Sequence, residues 1–564
     1  MDIKRQKRLI TAFYFFVLVL GLLAVRLWVI QVRDGDNYAI MALEQGSSSV
    51  VLEDVCRGRI LDRNLMPLTG ARVGDRVVFF PALIEDKDLV LQVLSETLNT
   101  PQQELAGFLY DPSYLPLTLL PEQSKAVKEY DWKGVTVLPV SFRYGDRPLA
   151  AQVVGHLGRI SSKEELSLLS ERSNKLYRFS DLVGKSGLEF FYETELKGGR
   201  PERAVRIFYD AEGNLLKGSV FQVEDDVRDK TRRDLVLTID ARIQSIVEEV
   251  MDQRVAKGAV VVMEAGTGDL LAMAGRPSYH PAQVEVYLQN GGEERFFDHC
   301  TALYPPGSIF KIVVAAAALE EGIARLNSRF TCHGENEQLI HCWKDAGHGS
   351  ITFAQAFAAS CNPVFARLGL SLGDSKIIEY AQRLGLDNQV VTGYPVPPDH
   401  RQDLNLINAP NSLVNSSVGQ GPVLATPVQV TAMLNAVVSD GIYRLPRLVK
   451  ELRESNGKVA REFTADPGRK AIQPDTASEL RRLLELVIDE GAGSEAMAPL
   501  FGSAGKTGSA QVGDSGQVNA WFTGYAPRAN PCYIVTVLVE GGASGAESAA
   551  PVFREIMEQI LSLD

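Results

Sequence analysis

Residues 9–25 carry no charged side chain, and after Arg26 the apolar character resumes over 27–30. At about 1.5 Å of rise per residue, a helix of this length just crosses a hydrocarbon core about 30 Å thick. Lys4, Arg5, Lys7 and Arg8 precede the run, and Asp34 and Asp36 follow it. That charge bias predicts a cytoplasmic tail over 1–8, a transmembrane anchor over 9–32 and everything beyond outside the cytoplasm. Arg26 near the outer end can snorkel to the headgroups, and Trp28 suits the interfacial aromatic belt. A cleaved signal peptide is the competing reading, opposed by the length of the run and by the lack of a small-x-small cleavage site. A buried helix of a soluble protein is the plainest alternative, and four basic residues ahead of a charge-free run oppose it.

The 564 residues leave room for several domains at about 100–200 residues each. With 45% hydrophobic and 23% charged residues the chain is globular rather than disordered. Asp and Glu total 70 against 58 Lys and Arg, a net charge of -12 with no long basic stripe, which excludes nucleic-acid binding. Residues 33–232 are polar and mixed, with strand-like runs at 77–80 and 135–140 and a helical pattern at 88–98. The Arg/Asp-rich stretch 224–234 reads as a hinge or linker. Beyond it the spacing predicts a strand at 234–239, an N-cap at Asp240 and a helix over 241–254. Strands at 259–264 and 270–274 follow, then Ala-rich helices after Ser308 and over 426–438. An apolar strand at 533–540, a Gly/Ala/Ser loop and a helix from about 551 to 563 end the chain. Strands at both ends with helices between predict one α+β domain over 233–564 around an antiparallel sheet.

Three short motifs carry chemistry. In an S-x-x-K pattern, a helix sets residues three apart on one face, so a lysine amine can take the proton of a serine hydroxyl. The pattern occurs at Ser308/Lys311, Ser455/Lys458 and Ser503/Lys506. Asn456-Gly457 makes the second a hairpin tip, and the third is interrupted by Gly505. Only Ser308 follows Pro305-Pro306-Gly307 and opens an apolar helix, whose N–H groups favour negative charge. An N-capping serine with a solvated lysine fits that pattern alone equally well. In Ser360-Cys361-Asn362 a hydroxyl can relay a proton while a carboxamide binds a peptide, although Ser and Asn also commonly end helices. In Lys506-Thr507-Gly508-Ser509 a strand would offer a positive charge, a hydroxyl for a carboxylate and a glycine past which a substrate backbone can lie. Lys185-Ser186-Gly187 matches the last pattern but lies upstream of Ser308 and reads as structural.

The order of these motifs, S-x-x-K then S-x-N then K-T-G, resembles the penicillin-binding proteins and serine β-lactamases. The closer resemblance is to the monofunctional, class B penicillin-binding proteins. Arg26-Leu27-Trp28-Val29-Ile30-Gln31-Val32 is similar to their post-anchor segment, and Arg57-Gly58-Arg59-Ile60-Leu61-Asp62-Arg63-Asn64 to their first block. Residues 184–199, with Gly187-Leu188-Glu189 and Tyr192, resemble the block that ends their N-terminal region. Gly419-Gln420-Gly421-Pro422 with Thr426-Pro427, and Trp521-Phe522-Thr523-Gly524-Tyr525-Ala526-Pro527, resemble further family elements. Residues 296–303 and 394–403 depart from the pattern. No glycosyltransferase block is recognisable between 33 and 232.

The resemblance implies an elongated mixed α/β pedestal or dimerisation-type domain over 33–232 and a transpeptidase domain over 233–564. It implies a peptidoglycan D,D-transpeptidase that cross-links stem peptides through an acyl-enzyme on Ser308 and is acylated by β-lactams. Lys311 would be the base, Ser360 the proton shuttle, and Asn362, Lys506, Thr507, Gly508 and Ser509 the substrate-binding residues. The backbone N–H groups of Ser308 and Ser509 would form the oxyanion hole. Implied partners are stem peptides on lipid-linked glycan strands, a SEDS-type glycan polymerase in the same membrane, and a second copy of the chain in a homodimer. A membrane-anchored β-lactamase, or a non-catalytic β-lactam sensor or scaffold, shares the motifs; the anchor and the long N-terminal region oppose the first and the complete motif set the second. No cofactor or metal enters this chemistry. Cys332-His333 and His341-Cys342 invite a zinc reading, but adjacent ligands of an extended chain point to opposite faces, and an oxidising compartment favours a local disulfide outside the catalytic set.

Overall fold

The computed structural model describes residues 3–33, 47–70, 72–130, 132–173, 175–199, 203–208, 222–224, 229–397, 401–409, 412–513 and 516–563. The chain forms two compact units. One comprises Met1–Cys56, Arg72–Phe142 and Arg200–Asp229, the other Arg57–Ala71, Arg143–Gly199 and Lys230–Asp564.

In the first unit the N-terminal helix Ile3–Trp28 runs into a π-helical turn, Val29–Arg33. Its apolar stretch Ile10–Arg33 has 24 residues, about 36 Å of helix, enough to cross a bilayer. Phe13, Phe16 and Leu22 lie exposed on it, as a lipid-facing segment requires. Further along, strand Arg72–Phe79 pairs antiparallel with Ser113–Tyr114 and Val135–Phe142. Its period of two sends Val77 and Phe79 against Val90 and Leu94 of the helix Lys87–Leu98. Val78 and Phe80 face the other way, onto Val205 and Ile207 of strand Ala204–Phe208. Of the linker expected at 224–234, residues 225–228 lie outside the described residues, and its last two residues already belong to the strand Arg233–Leu237.

The second unit is built on an antiparallel sheet of β1 (Gly258–Glu264), β2 (Leu270–Arg276), β3 (Ala504–Val512), β4 (Gln517–Ala526) and β5 (Tyr533–Glu540), ordered β2-β1-β5-β4-β3. Around it lie α1 (Ala241–Arg254), α2 (Lys311–Glu320), α3 (Asn362–Leu372), α4 (Pro427–Val438), α5 (Pro474–Asp489) and α6 (Ala550–Leu561). Alternation along β1 explains the layering. Val260 and Val262 pack with Val247 and Met251 of α1 and Phe553 of α6, whereas Val261 and Met263 join the core that holds Val313 of α2 and Met433 of α4. Helix α2 is buried nearly all round, as its Ile-Val-Val-Ala-Ala-Ala-Ala run demands. The edge strand β3 is left with one sheet neighbour.

The compact units do not follow a single linear boundary after residue 232. Ile60–Leu61 pairs in parallel with Leu235 and Val236. The buried Arg57 guanidinium meets Glu189 at 3.0 Å and Glu193 at 2.7 Å. Arg143 meets Glu189 at 2.7 Å and donates to the Gly58 carbonyl at 2.5 Å. These pairs draw 57–71 and 143–199 into the second unit.

Candidate active site

Ser308 lies in a 3-10 turn, Gly307–Phe310, that runs directly into α2. The sequence had placed it at the opening of the α-helix itself. The turn is pressed against β3 by main-chain contact. A Cβ on Gly307, at φ +54°, would come within 2.9 Å of the Ser509 carbonyl, and one on Gly508 within 2.8 Å of the Pro306 carbonyl. Both glycines are therefore required by close approach. Trp521, opposite Gly508 on β4, donates its indole N–H to the Pro305 carbonyl at 3.0 Å. On the far side the Gly307 N–H donates to the Gly419 carbonyl at 2.9 Å.

The helix Phe353–Ala358, capped by the Thr352 hydroxyl, stops just before Ser360, and α3 starts at Asn362 with Pro363 in its first turn. Between them Ser360 adopts φ +53°, a left-handed conformation that costs a non-glycine residue about 1–3 kcal/mol. The Lys311 amine reaches across from α2. It donates to the Ser360 carbonyl at 2.8 Å, the Ser360 Oγ at 3.1 Å and the Asn362 Oδ1 at 2.6 Å. From β3 the Lys506 amine donates to the same Ser360 Oγ at 3.1 Å and to the Thr507 carbonyl at 3.1 Å. One hydroxyl thus sits between two amines.

Both lysines are fully buried, and among the described residues neither has a carboxylate within ion-pairing reach. Burial brings Lys311 down to about 7. Burial, and then the charge of Lys311, push Lys506 well below the ordinary lysine value. An expected fixed positive charge at Lys506 therefore depends on an anion entering the site. Thr507 and Ser509 alternate with Lys506 along β3; Thr507 is buried and Ser509 exposed. The Ser509 hydroxyl accepts from the Gly545 N–H at 3.0 Å, so the loop after β5 lies against this strand.

Residues 258–558 match the penicillin binding protein transpeptidase domain, and residues 53–229 the penicillin-binding protein dimerisation domain. The chain belongs to the penicillin-binding proteins. Its two domains are those of the monofunctional, class B branch. Stage V sporulation protein D of Bacillus subtilis is 28% identical over 594 residues, spanning 99% of this chain and 85% of that protein. Peptidoglycan D,D-transpeptidase MrdA of Acinetobacter baumannii is 26% identical over 620 residues, spanning 98% of this chain and 88% of that protein. A solved chain from a peptidoglycan synthase complex, studied for its structural coordination of polymerization and crosslinking, shares the fold at a TM-score of 0.75. That chain is 23% identical, with 99% of each chain covered.

The decoy motifs of this penicillin-binding protein have local explanations. Ser455 to Lys458 form the tip of the hairpin between strands Val449–Glu454 and Val459–Glu462, closed by the Glu454 N–H on the Lys458 carbonyl at 2.8 Å. Ser503 is buried with its hydroxyl on the Ala496 carbonyl at 2.7 Å. Lys185 pairs with Glu165, and Ser186 contacts His156 Nδ1 at 2.9 Å.

Two features of this penicillin-binding protein were legible only in part from the residues. Gly545 and Gly419 hold the site from loops distant in the chain; only the resemblance pointed to Gly419. The second is a cysteine cluster. Cys332 and Cys342, expected as a pair outside the catalytic set, are joined by His348 and by Cys361, the middle residue of Ser360-Cys361-Asn362. The four ligand atoms lie within 4.8 Å of one another, and all the cysteines are free thiols. These are the residues that could hold a metal. The sequence signal is weak because Cys361 stands singly along the chain, apart from the Cys332/Cys342 pair.

Proposed function

We propose that this penicillin-binding protein cross-links peptidoglycan as a D,D-transpeptidase with Ser308 as its acylated residue. The observation that carries the reading is the Ser360 hydroxyl, 3.1 Å from each of two buried amines, next to a serine turn clamped on an edge strand. In this reading Ser308 Oγ attacks the carbonyl of the penultimate D-Ala of a stem peptide, and neutral Lys311 accepts its proton. The peptide C–N bond breaks, and the departing D-Ala amine takes a proton relayed through Ser360. An amine of a neighbouring stem peptide then attacks the ester, forming the cross-link and returning the proton to Ser308. The strained amide of a β-lactam meets the same attack.

The binding roles are built outward from one bond already made. Asn362 Oδ1 is occupied by Lys311, which turns its amide N–H groups to the substrate. Thr507 and Lys506 take the terminal carboxylate, and that carboxylate gives Lys506 the counter-ion it lacks. Gly508 lets the substrate backbone approach the free edge of β3. The N–H groups of Ser308 and Ser509 stabilise the oxyanion, worth about 3 kcal/mol per donor. Lys4, Arg5, Lys7 and Arg8 hold the tail in the cytoplasm, which leaves the catalytic unit outside. A SEDS-type membrane polymerase supplies the glycan strands; the synthase complex that shares this fold supports that partner.

The test uses the full chain in detergent with a fluorescent penicillin, followed by digestion and mapping of the adduct. The label is expected on Ser308, and Ser308→Ala should lose both the label and cross-linked products when polymerase and lipid-linked precursor are supplied. An adduct elsewhere, or rapid turnover that releases the opened penicillin, would overturn the reading.

A further inference from the structure

We propose that Tyr304 and Glu540 are positioning residues for the oxyanion hole, one carboxylate tying the turn that carries Ser308 to the loop that backs Ser509. Three polar atoms meet in a closed triangle at the end of β5. Tyr304 Oη lies 2.9 Å from Glu540 Oε1 and 2.7 Å from His299 Nδ1, and His299 Nδ1 lies 2.9 Å from the same Glu540 oxygen. Burial pushes the Glu540 carboxyl up, yet the bonds from His299 and Tyr304 hold it below its ordinary value. An ionised carboxylate gives no proton, so the contact with His299 requires the ring hydrogen on Nδ1, and the phenol donates to the same oxygen. Both bonds run to a charged acceptor, which makes them the stronger kind.

On one side the triangle holds the nucleophile's turn. Tyr304 bridges Ala425 through its main chain in both directions, at 3.0 and 2.9 Å, and its ring packs edge-on against Trp521. Pro305-Pro306-Gly307 follows, a run with no hydrogen-bonding side chain, and then Ser308. The Tyr304 phenol is therefore the polar side-chain anchor nearest the turn on its N-terminal side. On the other side Glu540 ends β5, its N–H on the Lys257 carbonyl at 2.9 Å. The chain leaving it reaches Gly545, whose N–H donates to the Ser509 hydroxyl at 3.0 Å. Gly545 has no room for a Cβ, which would fall 2.4 Å from the carbonyls of Gly508 and of Trp521. Gly508 and Ser509 thus touch both the serine turn and this loop, and Glu540 holds the two together.

The triangle touches no reacting atom and acts through geometry. An oxyanion is stabilised only where both N–H donors aim at one oxygen, and a misplacement on the order of 1 Å is worth about a hundredfold in rate. If the phenol bond is removed, His299 and Glu540 stay paired, but the turn bearing the Ser308 N–H is free to shift against β3. His299 makes the third corner rigid. Its side chain is buried, with Nε2 lacking a partner among the described residues, and its ring stacks on that of Tyr304. Lys257, which also pairs with Glu294, meets Glu540 Oε2 at 3.3 Å from the solvent side. This role rests on the transpeptidase reading above, because it is exerted on the Ser308 and Ser509 N–H groups.

The test uses the full chain in detergent and a penicillin isotope-labelled at its β-lactam carbonyl. Wild type, Tyr304→Phe, Glu540→Gln and the double variant are compared in acylation rate and in the infrared band of the ester carbonyl of the adduct. That band falls in frequency as the two N–H groups bind the oxygen. Each single variant is expected to acylate about tenfold more slowly at saturating penicillin, with little change in the half-saturating concentration, and to move the band to higher frequency. The double variant should be no slower than the slower single one, because both changes remove the same bond. An unmoved band in Y304F, whether or not the rate falls, would overturn the proposal, as would losses that multiply in the double variant. Y304F keeps the ring on Trp521 and decides the matter alone if E540Q does not fold. An adduct on a residue other than Ser308 would instead refute the transpeptidase reading.

Discussion

The Lys311 amine is fully buried, is held by Ser360 and Asn362, and is brought down to about 7 by the loss of water around it. Acylation of Ser308 should follow that value. The amine can accept the serine proton only when neutral, so the rate rises with pH. About a tenth of the chains hold a neutral Lys311 one pH unit below the midpoint and about nine tenths one unit above it, which predicts a rise of roughly ninefold to tenfold between about pH 6 and pH 8, then a plateau. A lysine with its ordinary value would be less than about a thousandth neutral at pH 7 and would give a rate climbing about tenfold per pH unit with no plateau. The assay is the rate of adduct formation with a fluorescent penicillin that does not titrate over this range. Lys311→Met serves as the control, expected to acylate about 100 to 10,000 times more slowly as the loss of a general base implies. A flat profile, a climb without plateau, or wild-type acylation by Lys311→Met would refute the assignment of the base.

Glu189→Gln should cost about 3–5 kcal/mol, because it leaves Arg57 and Arg143 buried against a neutral amide; an unchanged denaturant midpoint would contradict this. Burial pushes the Glu189 carboxyl up, yet Arg143 and Arg57 hold it below its ordinary value. Its share of stability is therefore present above the ordinary carboxylate range and lost as pH falls through the folded value, and Glu189→Gln should flatten the acid limb of the stability curve. For Lys311 the unfolded chain binds the proton more tightly, so stability should increase as pH rises from about 7 toward the ordinary lysine value. Gly307→Ala should slow acylation without unfolding the chain, since its Cβ would meet the Ser509 carbonyl at 2.9 Å; a wild-type rate would show that the turn and β3 are free to part. Thr507→Val should weaken reaction with carboxylate-bearing β-lactams by about ten- to a hundredfold, the loss of about 1.5–3 kcal/mol from one bond to a charged group, and an equal loss toward an analogue lacking the carboxylate would remove that role.

Much of this was legible because it is local. Asp240 caps α1 as its position demands, and α1 and β5 begin and end where the spacing put them. The motif order gave Lys311, Ser360, Asn362 and Lys506, which the fold brings into hydrogen-bonding contact from three separate elements. Long-range encounters were not legible. Arg57 and Glu189 are 132 residues apart, and no periodicity reports that they share a buried ion cluster. Cys361, at the junction of two helices, was hidden in another way, since a single cysteine draws no notice until Cys332 arrives from the strand Arg329–Cys332. The 3-10 turn at Ser308 was missed because the pull of β3 on Gly307, not helix propensity, sets the backbone there.

The pocket wall beside Ser308 is made of peptide bonds: Gly307 against Ser509, Gly508 against Pro306, Gly419 against Gly307. An inhibitor fitted to it grips atoms that every amino acid shares and that no missense change can delete. Any side chain added at these glycines collides first with the enzyme's own turn, so a cell under antibiotic selection would injure its cross-linking activity before it excluded the drug.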